Sequence, residues 1–388
     1  MLFRLELLYR IREVIMKREY KPFKLPIENL ININEFINEL IEANKLLGIY
    51  QILLEKSNID PELILLLITL QEAIQSTRIE GTQVTLDDML EYGVDESKKN
   101  VDIEEVINYS KALLSGGDLL KRIPISTRLI KEMHKILLTG EVRGNSRNPG
   151  EFRSIQNFIG PQGCTIQTAS YIPPEPQLVP EYMSNLEKYI NEPTDNLNDL
   201  IRIAIIHAQF ETIHPFLDGN GRIGRILIPL YLYDKNLISS LNFFISESLE
   251  KDKFKYYKLL NDTRVDTNKE NHEIASKRWT EWIKFFIDAM IAQANKNISL
   301  IDNIDNLYNS TIERSRELIN NNKLIDIINV MFEKPIFTKK TILERVDMPS
   351  STLGVYLNKL EEERLIYSDG KTRNKKYYFY DLINVLRQ

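Results

Sequence analysis

The sequence predicts a mainly helical protein with one small β-hairpin and a separate module at its C-terminal end. Apolar residues recur every three or four positions from Ile27 to Met89 and from Ile103 to Leu138, which is the spacing of one helix face. Prolines and glycines interrupt this pattern between Asn148 and Pro180, and it resumes from Leu197 to about Asn321. A chain of 388 residues is long enough to bury the core that such helices need.

The helical stretches carry their own stop signals. Gly116 and Gly117 are predicted to break the second stretch together with Pro124, and Gly140 is predicted to end it. The polar segment from Asp262 to Asn271 is predicted to be a turn. The sequence shows neither an internal repeat nor a low-complexity tract.

The interrupted region has the composition of paired strands. The runs EFRSIQNFIG and CTIQTASYI are rich in β-forming residues and flank the turn sequence PQG at residues 161–163. We therefore expect a small exposed β-hairpin there.

Charge and cysteine content narrow the functional classes. The balance of 50 Lys and Arg against 55 Asp and Glu leaves a net charge of -5, too mild for a general nucleic-acid coat. Cys164 is the single cysteine, which excludes an intrachain disulfide and a thiolate zinc site and favours a reducing, cytoplasmic compartment. Charged residues interrupt the first 21 residues every two to four positions, so neither a signal peptide nor a membrane span is expected there.

The C-terminal segment has the opposite charge. Residues 331–388 contain eleven Lys or Arg and eight Asp or Glu, a net charge of +3, whereas the rest of the chain carries -8. Four segments follow one another here: the helix TKKTILERV, the turn MPSS, the helix STLGVYLNKLEEERLI, and the basic, aromatic run SDGKTRNKKYYFY. This order resembles a winged helix-turn-helix.

That resemblance implies two kinds of partner. In DNA-binding members the second helix, which would begin here at Ser350 or Ser351, lies in the major groove. The wing would then touch phosphates through Lys371, Arg373, Lys375 and Lys376. Winged helices also bind proteins, and the acidic residues at 361–363 of this helix favour that alternative.

One twelve-residue segment, HPFLDGNGRIGR from His214 to Arg225, combines several kinds of chemistry. Gly219, Asn220 and Gly221 allow successive backbone amides to point the same way, which makes an anion nest at the start of the helix predicted near Arg222. Arg222 and Arg225 are three residues apart and therefore share a face from which both can contact phosphate oxygens. Phosphate is the ligand that this segment favours.

The same segment contains an acid and a base. Asp218 is placed to hold a magnesium ion that already bridges phosphates. His214 would take the proton of an incoming hydroxyl group. Each residue also has an ordinary explanation as a solvated histidine, a helix cap or a surface charge, but all of them together would be an unusual coincidence.

A competing motif overlaps this segment. Gly219, Gly221 and Gly224 fit the G-x-G-x-x-G pattern of dinucleotide-binding folds, which requires a preceding strand. The preceding residues, NDLIRIAIIHAQFETI, favour a helix by their spacing and length. We therefore set the dinucleotide interpretation aside.

The segment matches the motif H-P-F-x-D-G-N-G-R-x-x-R of the Fic family at every defined position, and the chain is identified by this resemblance as a member of that family. The resemblance implies a helical fold that transfers AMP from ATP, with Mg²⁺, to a Ser, Thr or Tyr hydroxyl of a target protein. It makes His214 the general base, Asp218 the magnesium ligand, and Arg222 and Arg225 the polyphosphate contacts, with the nest at residues 219–221.

The resemblance extends to flanking segments. Three segments, LLTGEVRG, PGEFRSIQNFIG and YIPPEP, resemble the family's segment that leads into a β-hairpin flap. In the family this flap binds a target chain by strand addition. YYKLL resembles a segment that lines the adenine pocket. It makes Tyr256 and Tyr257 candidates for nucleotide binding, although a core-packing role is equally consistent with either residue.

A second family element lies far upstream. Ser76-Thr77-Arg78-Ile79-Glu80-Gly81 fits the inhibitory pattern S/T-x-x-x-E-G/N, in its N-terminal position. Ser76 and Glu80 share a helix face, and Gly81 permits the helix to end. A Glu80 carboxylate paired with Arg225 would occupy the guanidinium group that ATP needs. In some relatives this glutamate also promotes removal of AMP.

These observations together predict an autoinhibited protein adenylyltransferase. We expect an N-terminal helical region at 1–115, a Fic core with following helices at 116–320 and a winged helix-turn-helix at 321–388. The sequence leaves open a DNA-binding regulator whose core senses nucleotide, other donors such as UTP or a choline-bearing nucleotide, and a homo-oligomer formed with the amphipathic stretch from Ile298 to Ile319.

Overall fold

The computed structural model describes residues 21–57, 59–145, 147–160, 163–264 and 272–387. Residues 1–20, where the sequence predicts neither export nor membrane insertion, lie outside the described residues. So do residues 161–162 of the predicted hairpin turn and residues 265–271 of the predicted polar turn. In the part that is described, no helix is long and apolar enough to cross a membrane.

Four helices form the N-terminal region. They are α1 (Ile37–Lys56), α2 (Pro61–Ile79), α3 (Leu86–Tyr92) and α4 (Val101–Leu120). Side-chain caps begin three of them: Asp60 accepts a hydrogen bond from Glu62 N at α2, Thr85 forms a capping box with Asp88 at α3, and Asn100 caps α4. Local sequence therefore sets where these helices start.

The central helices surround one fully buried helix. This helix is α7 (Asp199–Ile213), and every residue of it after Asp199 is buried. Three helices pack around it or its C-terminal end: α5 (Thr127–Leu137), α6 (Val179–Asn191) and α8 (Asn220–Asp234). The short helices α9 (Ser246–Lys251) and α10 (Lys253–Asp262) follow. The apolar character of α7 all round its axis is what a central position requires.

A single helix, α11 (His272–Leu318), contains 47 residues and joins the two ends of the molecule. Near its start, the Trp282 indole N–H donates a hydrogen bond to Ala204 O at 2.9 Å, which fixes α11 against α7. Near its end, the Tyr308 hydroxyl donates to Asn329 Oδ1 at 2.6 Å, which fixes it against the C-terminal module.

The C-terminal module contains four helices and a small sheet. The order is α12 (Leu324–Glu333), β1 (Ile336–Thr338), α13 (Lys339–Leu343), α14 (Ser350–Glu362), β2 (Tyr367–Ser368), β3 (Lys376–Tyr378) and α15 (Tyr380–Arg387). The strands are antiparallel in the order β1-β3-β2, with Ile336 opposite Tyr378. The winged helix-turn-helix interpretation requires this element order, and DNA binding by the module stays a prediction.

The module is attached to the N-terminal helices. Glu91 of α3 accepts hydrogen bonds from Lys376 Nζ at 2.8 Å and from the Tyr378 hydroxyl at 3.0 Å. Gln71 of α2 donates to Leu386 O at 2.6 Å. Two of the wing lysines therefore have carboxylate partners. Lys376 binds Glu91 of α3, and Lys375 Nζ lies 2.7 Å from a carboxylate oxygen of Glu361 within the module.

Two expectations need correction. Gly116 and Gly117 lie inside α4 instead of breaking it, so the domain boundary expected after residue 115 falls within a continuous helix. The reason is close packing, since an added Cβ at Gly116 would lie 2.5 Å from Met133 Sδ and one at Gly117 would lie 2.6 Å from Leu241 Cδ1. These glycines leave space for the neighbouring side chains and do not form a turn.

The predicted hairpin is smaller than expected. One antiparallel bridge joins Ile159 to Tyr171, with N–H···O distances of 2.8 and 3.0 Å, and no longer ladder forms among the described residues of this region. Thr168 N donates to Thr165 O at 3.0 Å, so the second run turns where it was expected to extend. Side chains replace the ladder, because Gln156 Nε2 donates to Pro173 O at 2.9 Å. The flap is therefore mainly a loop.

Candidate active site

The motif segment lies at the junction of α7 and α8. His214 follows the last residue of α7 with φ 49°, a left-handed conformation, and its N–H donates to Phe210 O at 2.9 Å. Gly219, with φ 76°, precedes Asn220, the first residue of α8. The element before the glycines is a helix, so the geometry excludes the strand that a dinucleotide-binding fingerprint needs.

Asn220 holds the loop between the two helices. Its side-chain oxygen accepts from Phe216 N and its side-chain nitrogen donates to Phe216 O, each at 2.9 Å. Phe216 is fully buried and its ring stacks on the ring of His134 with centroids 3.7 Å apart. The loop is thus tied to the core at its middle as well as at its ends.

His134 of α5 supports the loop from below. Gly150 N donates to its Nδ1 at 2.8 Å, and its Nε2 donates to Asp218 O at 3.0 Å, which assigns the proton to Nε2. Burial lowers the pKa of His134 to about 4. The ring is therefore neutral at pH 7 and positions the backbone of Asp218.

Arg153 positions the backbone of His214. Its Nε donates to His214 O at 2.9 Å, and its own backbone N–H donates to Pro215 O at 2.9 Å. Its Nη2 donates to Pro174 O at 2.5 Å, which joins the same guanidinium group to the flap. Arg153 is almost fully buried, so this clamp is part of the core.

The His214 ring is neutral and keeps a ring nitrogen without a hydrogen-bond partner in the described structure. Within the described residues, its buried Nδ1 has no hydrogen-bond partner. Burial, together with the charges of Arg264 and Arg153, lowers the pKa of His214 to about 3. A neutral imidazole has a free lone pair, which is the state that a general base needs before the reaction.

The structure brings Arg225 and the upstream segment together. Arg225 is 1% exposed and donates three hydrogen bonds to α2: Nε to Ser76 Oγ at 2.7 Å, Nη2 to Ser76 O at 3.0 Å, and Nη2 to Glu80 Oε1 at 2.6 Å. Burial raises the pKa of Glu80, but the charge and hydrogen bond of Arg225 outweigh it and the pKa lies below its ordinary value. Glu80 is therefore an ionised partner of Arg225.

Two glycines allow this approach. Gly81 has φ 105°, a conformation that lets α2 end immediately after Glu80. Gly221 lies against the pair, since an added Cβ there would collide with Glu80 Oε1 and lie 3.0 Å from Arg225 Nη1. Glu80, Gly221 and Arg225 are thus in direct contact.

Arg222 does not contact Glu80 but lies near two other carboxylates, those of Asp218 and Glu105. Its Nη2 lies 3.2 Å from Asp218 Oδ1 and its Nη1 lies 3.6 Å from Glu105 Oε2. Glu105 of α4 is 1% exposed and also receives two hydrogen bonds of 2.7 Å from Arg143. Glu105 therefore holds Arg143 and Arg222 side by side.

The motif arginines keep unused donors. Counting partners over the described parts of the chain, Arg222 Nε, Arg222 Nη1 and Arg225 Nη1 are buried without a hydrogen bond. Buried guanidinium nitrogens normally have partners, so an anionic ligand would complete the bonding of Arg222 Nε and Arg225 Nη1, whereas Arg222 Nη1 also lies 3.6 Å from Glu105 Oε2.

Asp218 is accessible to a ligand. Its side chain is 39% exposed, and Oδ1 accepts from Gly219 N at 2.6 Å. The searched part of the chain holds no cluster of three or more His, Cys, Asp or Glu that could bind a metal ion by protein ligands alone. One exposed carboxylate beside spare phosphate donors fits Mg²⁺, which is commonly held by one or two carboxylates and substrate phosphates.

Two buried carboxyl groups lie close to Arg225. Glu211 precedes His214 by one helical turn, and its Oε1 has no hydrogen-bond partner in the described structure. Glu72 lies two turns before Glu80 and accepts from the Tyr109 hydroxyl at 2.6 Å and from Ser246 Oγ at 2.5 Å. Burial raises the pKa of each carboxyl group to about 7. The hydrogen bonds from Tyr109 and Ser246 to Glu72 anchor α2 to α4 and α9.

The two tyrosines of α10 differ in environment. Tyr256 is 1% exposed, and its hydroxyl hydrogen-bonds His207 Nε2 at 2.9 Å, so packing in the core accounts for it. Tyr257 is 43% exposed. Its pKa is raised by burial of the hydroxyl and by the charge of Glu80, which lies nearby. A nucleotide-binding role stays a prediction for both.

Several of these residues were not apparent from the sequence. His134, Arg153, Glu105 and Glu211 act through contacts with residues up to 117 positions away, as between Glu105 and Arg222. A sequence signal existed for one of them, because Glu211 is a charged residue in an otherwise apolar helix. Arg153 lies in a loop, and His134 and Glu105 lie on buried helix faces whose partners are distant in the sequence.

The helical fold brings a neutral histidine, an exposed aspartate and two buried arginines together at one helix junction, a combination that favours an anionic ligand. Residues 124–232 match the sequence model of the Fic/DOC family, and residues 37–118 match the model of the Fic/DOC family N-terminal region. The chain therefore contains a Fic/DOC domain and, before it, a Fic/DOC N-terminal region.

Individual relatives agree with this assignment. The chain is 29% identical over 164 residues to the protein adenylyltransferase Fic of Drosophila grimshawi, which covers 41% of this chain and 32% of the relative. It is 30% identical over 175 residues to a probable protein adenylyltransferase of Aquifex aeolicus, covering 44% of this chain and 50% of the relative. The matched segment spans about a third to a half of these relatives.

Solved structures show the same fold. A Fic family protein from Desulfovibrio desulfuricans aligns with a TM-score of 0.56 at 20% identity, covering 93% of this chain and 98% of that chain. A Fic domain containing signaling protein from Bacteroides thetaiotaomicron aligns with a TM-score of 0.50 at 19% identity, covering 68% and 97%. These similarities confirm the mainly helical Fic fold.

Proposed function

We propose that the protein is an adenylyltransferase that transfers AMP from ATP to a Ser, Thr or Tyr hydroxyl of a target protein, itself included. The observation that carries this proposal is the junction of α7 and α8, where a neutral His214, an accessible Asp218 and spare donors of Arg222 and Arg225 converge. The names of the relatives, protein adenylyltransferases, support the same reaction.

The chain's own groups would divide the work. The hydroxyl oxygen of the target bonds to the α-phosphorus of ATP, the bond from this phosphorus to the bridging oxygen breaks, and pyrophosphate leaves. The hydroxyl proton passes to the imidazole ring of His214. The nest at residues 219–221 and the two arginines bind the phosphate oxygens. A Mg²⁺ ion held by Asp218 would neutralise phosphate charge when bound.

The contact between α2 and Arg225 supports autoinhibition. Arg225 is needed for the terminal phosphate, and Glu80 and Ser76 together use three of its hydrogen bonds. A carboxylate at this position also repels the phosphate charge. We infer that ATP binds productively only after Glu80 leaves. The same carboxylate is available for the reverse reaction, removal of AMP from a target.

The partner of the reaction would lie along the flap. Ile155 and Phe158 are 58% and 40% exposed, and they precede the bridge between Ile159 and Tyr171. An extended target segment can add main-chain hydrogen bonds beside this bridge and contact the two apolar side chains. The target hydroxyl would then be presented to the His214 ring.

The test compares three proteins by intact-mass spectrometry after incubation with ATP and Mg²⁺: wild type, Glu80→Gly, and Glu80→Gly/His214→Ala. We expect an added AMP on Glu80→Gly, at least tenfold less on wild type, and none on the double variant, because the first change frees Arg225 and the second removes the base. UTP in place of ATP tests the donor.

The controls separate catalysis from folding. Circular dichroism should give the same helix content for all three proteins. Equal AMP transfer by Glu80→Gly and by the double variant would contradict the role of His214, and equal transfer by wild type and Glu80→Gly would contradict autoinhibition.

A further inference from the structure

The helix α2 has two opposite working faces. Ser76 and Glu80, four residues apart, lie on the face that contacts Arg225. Residues two positions away, such as Arg78, lie about 200° round the axis and therefore on the opposite face, because each residue advances the helix by about 100°. That outer face carries Gln71, Gln75 and Arg78.

A cavity of about 250 Å³ opens on the outer face. Its walls come from five elements, since residues of α2, α9, α11, α15 and the start of α3 line it. Such a volume suits a metabolite smaller than a nucleotide. The cavity lies on the opposite side of α2 from the motif loop and is separate from it. We call it the outer cavity.

The charges of the outer cavity do not balance. Arg387 Nη2 lies 2.8 Å from Asp87 Oδ1, and Lys296 forms an ion pair with Glu247. Arg78 has no ion-pair partner among the described residues, and its two hydrogen bonds are long, 3.4 Å to Gln75 Oε1 and 3.5 Å to Val84 O. One guanidinium group is therefore left uncompensated, which favours an anionic ligand.

The other walls offer acceptors. Gln71 uses its Nε2 to donate to Leu386 O, and its Oε1 remains a potential acceptor. Asp87 of α3 and Glu247 of α9 add carboxylate oxygens to the lining. These groups match the hydroxyls of a ligand, whereas Arg78 matches a phosphate group.

We propose that the outer cavity binds a small phosphorylated polyol, with the phosphate on Arg78 and the hydroxyl groups toward Gln71 and the acidic walls. A ligand in the outer cavity acts on the contact between Glu80 and Arg225 from the opposite side of α2. Arg78 O accepts the hydrogen bond from Gly81 N at 2.9 Å, so Arg78 belongs to the turn that presents Glu80. A ligand that pulls Arg78 toward the cavity shifts this turn and weakens the contact with Arg225.

Binding is tested first, by isothermal titration calorimetry of the full chain with ribose 5-phosphate. We expect saturable binding by wild type and at least tenfold weaker binding by Arg78→Gln, which removes the charge and keeps an amide. Arg387→Gln, on a different wall, should also weaken binding. The matched control is Arg122→Gln, an exposed arginine outside the cavity, with unchanged affinity.

Each other outcome overturns the assignment. No heat from wild type at concentrations up to about 10 mM excludes a useful site for this ligand class. Equal affinity of wild type and Arg78→Gln places the phosphate elsewhere, including the motif loop. Equal affinity for ribose and for ribose 5-phosphate contradicts recognition of the anion.

The regulatory part rests on the proposed function and is tested separately. We expect ribose 5-phosphate to raise AMP incorporation by wild type about fivefold and to leave Glu80→Gly unchanged, because the ligand acts through Glu80. An equal response of both proteins, or none, overturns the regulatory part. If Glu80→Gly incorporates no AMP at all, the proposed function fails, while the calorimetric result still decides whether the cavity binds.

Discussion

A buried histidine joins three helices behind the motif loop. His207 of α7 is fully buried, its Nδ1 donates to Gly224 O of α8 at 3.0 Å, and its Nε2 accepts from the Tyr256 hydroxyl of α10 at 2.9 Å. Burial lowers the pKa of His207 to about 3, from an ordinary value of 6.5. The native protein therefore keeps this ring neutral where the unfolded chain protonates it.

This difference predicts a pH-dependent stability. The unfolded chain binds the additional proton below pH 6.5, so His207 costs the native state about 2 kcal/mol at pH 5 relative to pH 7. We expect His207→Gln to destabilise by about 2 kcal/mol at pH 7, because two buried hydrogen bonds are disturbed, and by much less at pH 5. Urea unfolding at the two pH values measures both numbers.

The control for this prediction is His272→Gln, a change at an exposed histidine at the start of α11. It should leave the free energy of unfolding nearly unchanged at both pH values. A destabilisation by His207→Gln that is the same at pH 7 and pH 5 would show that the native ring takes up its proton as the unfolded chain does, which would contradict the lowered pKa.

At this scale the sequence predicts the residues of a contiguous motif better than those that support it. His214 and Asp218 stand in one short run, and their chemistry follows from their types and spacing. His134 and Arg153 contact that run from positions 84 and 61 residues away, and only the packed chain brings them there. The upstream Glu80 was found because it lies in a pattern of its own.

Among the helices, two glycines that look alike in sequence have opposite environments. Gly48 lies in the middle of α1, and an added Cβ would meet nothing within 4 Å. Gly116 lies in α4, where an added Cβ would lie 2.5 Å from Met133 Sδ and 3.1 Å from Leu230 Cδ1. Only the second is needed for close packing of helices.

The two positions make a matched pair of substitutions. We expect Gly48→Ala to stabilise the protein by about 0.5–1 kcal/mol, because alanine is the better helix former. We expect Gly116→Ala to destabilise it by about 1–3 kcal/mol, since overpacking outweighs the same helical gain. Urea unfolding of both variants decides the matter, and changes of equal sign would contradict the packing argument.

Helical periodicity located most of the elements, and its failures have physical causes. Local sequence preferences predict that the glycines in α4 break the helix. They lie inside it, because Met133 and Leu241 occupy the space that larger side chains would fill. The flap runs have β-forming composition, yet side chains such as Gln156 take the places of ladder hydrogen bonds. In both cases tertiary contacts override the local preference.

Across the whole molecule, the C-terminal module and helix α3 are neighbours. The side chains of Lys376 and Glu91 are only 15% and 20% exposed where they meet, and the Tyr378 hydroxyl shares the same carboxylate. Beside them, Leu90, Ile336 and Ile383 form a small apolar cluster. The module is therefore in contact with α3, the helix that begins six residues after Glu80.

A double-mutant cycle measures this attachment. For Lys376→Met and Glu91→Gln we expect a coupling free energy of about 1 kcal/mol, because the pair is mostly shielded from water. The exposed pair Lys45 and Glu42 of α1, with side chains 61% and 44% exposed, is the matched control, and its coupling should stay below about 0.5 kcal/mol. Equal couplings would contradict a specific attachment.

The continuous helix α11 fixes more than the distance between the two ends of the molecule. At about 1.5 Å per residue its 47 residues extend roughly 70 Å, and each residue also turns the helix by about 100°. Its anchors at Trp282 and Tyr308 therefore have a fixed angular phase relative to each other. One inserted residue between them would rotate the module by more than a quarter of a circle and carry Lys376 away from Glu91. Loops elsewhere can change length gradually, whereas this helix can change only in steps that restore its phase.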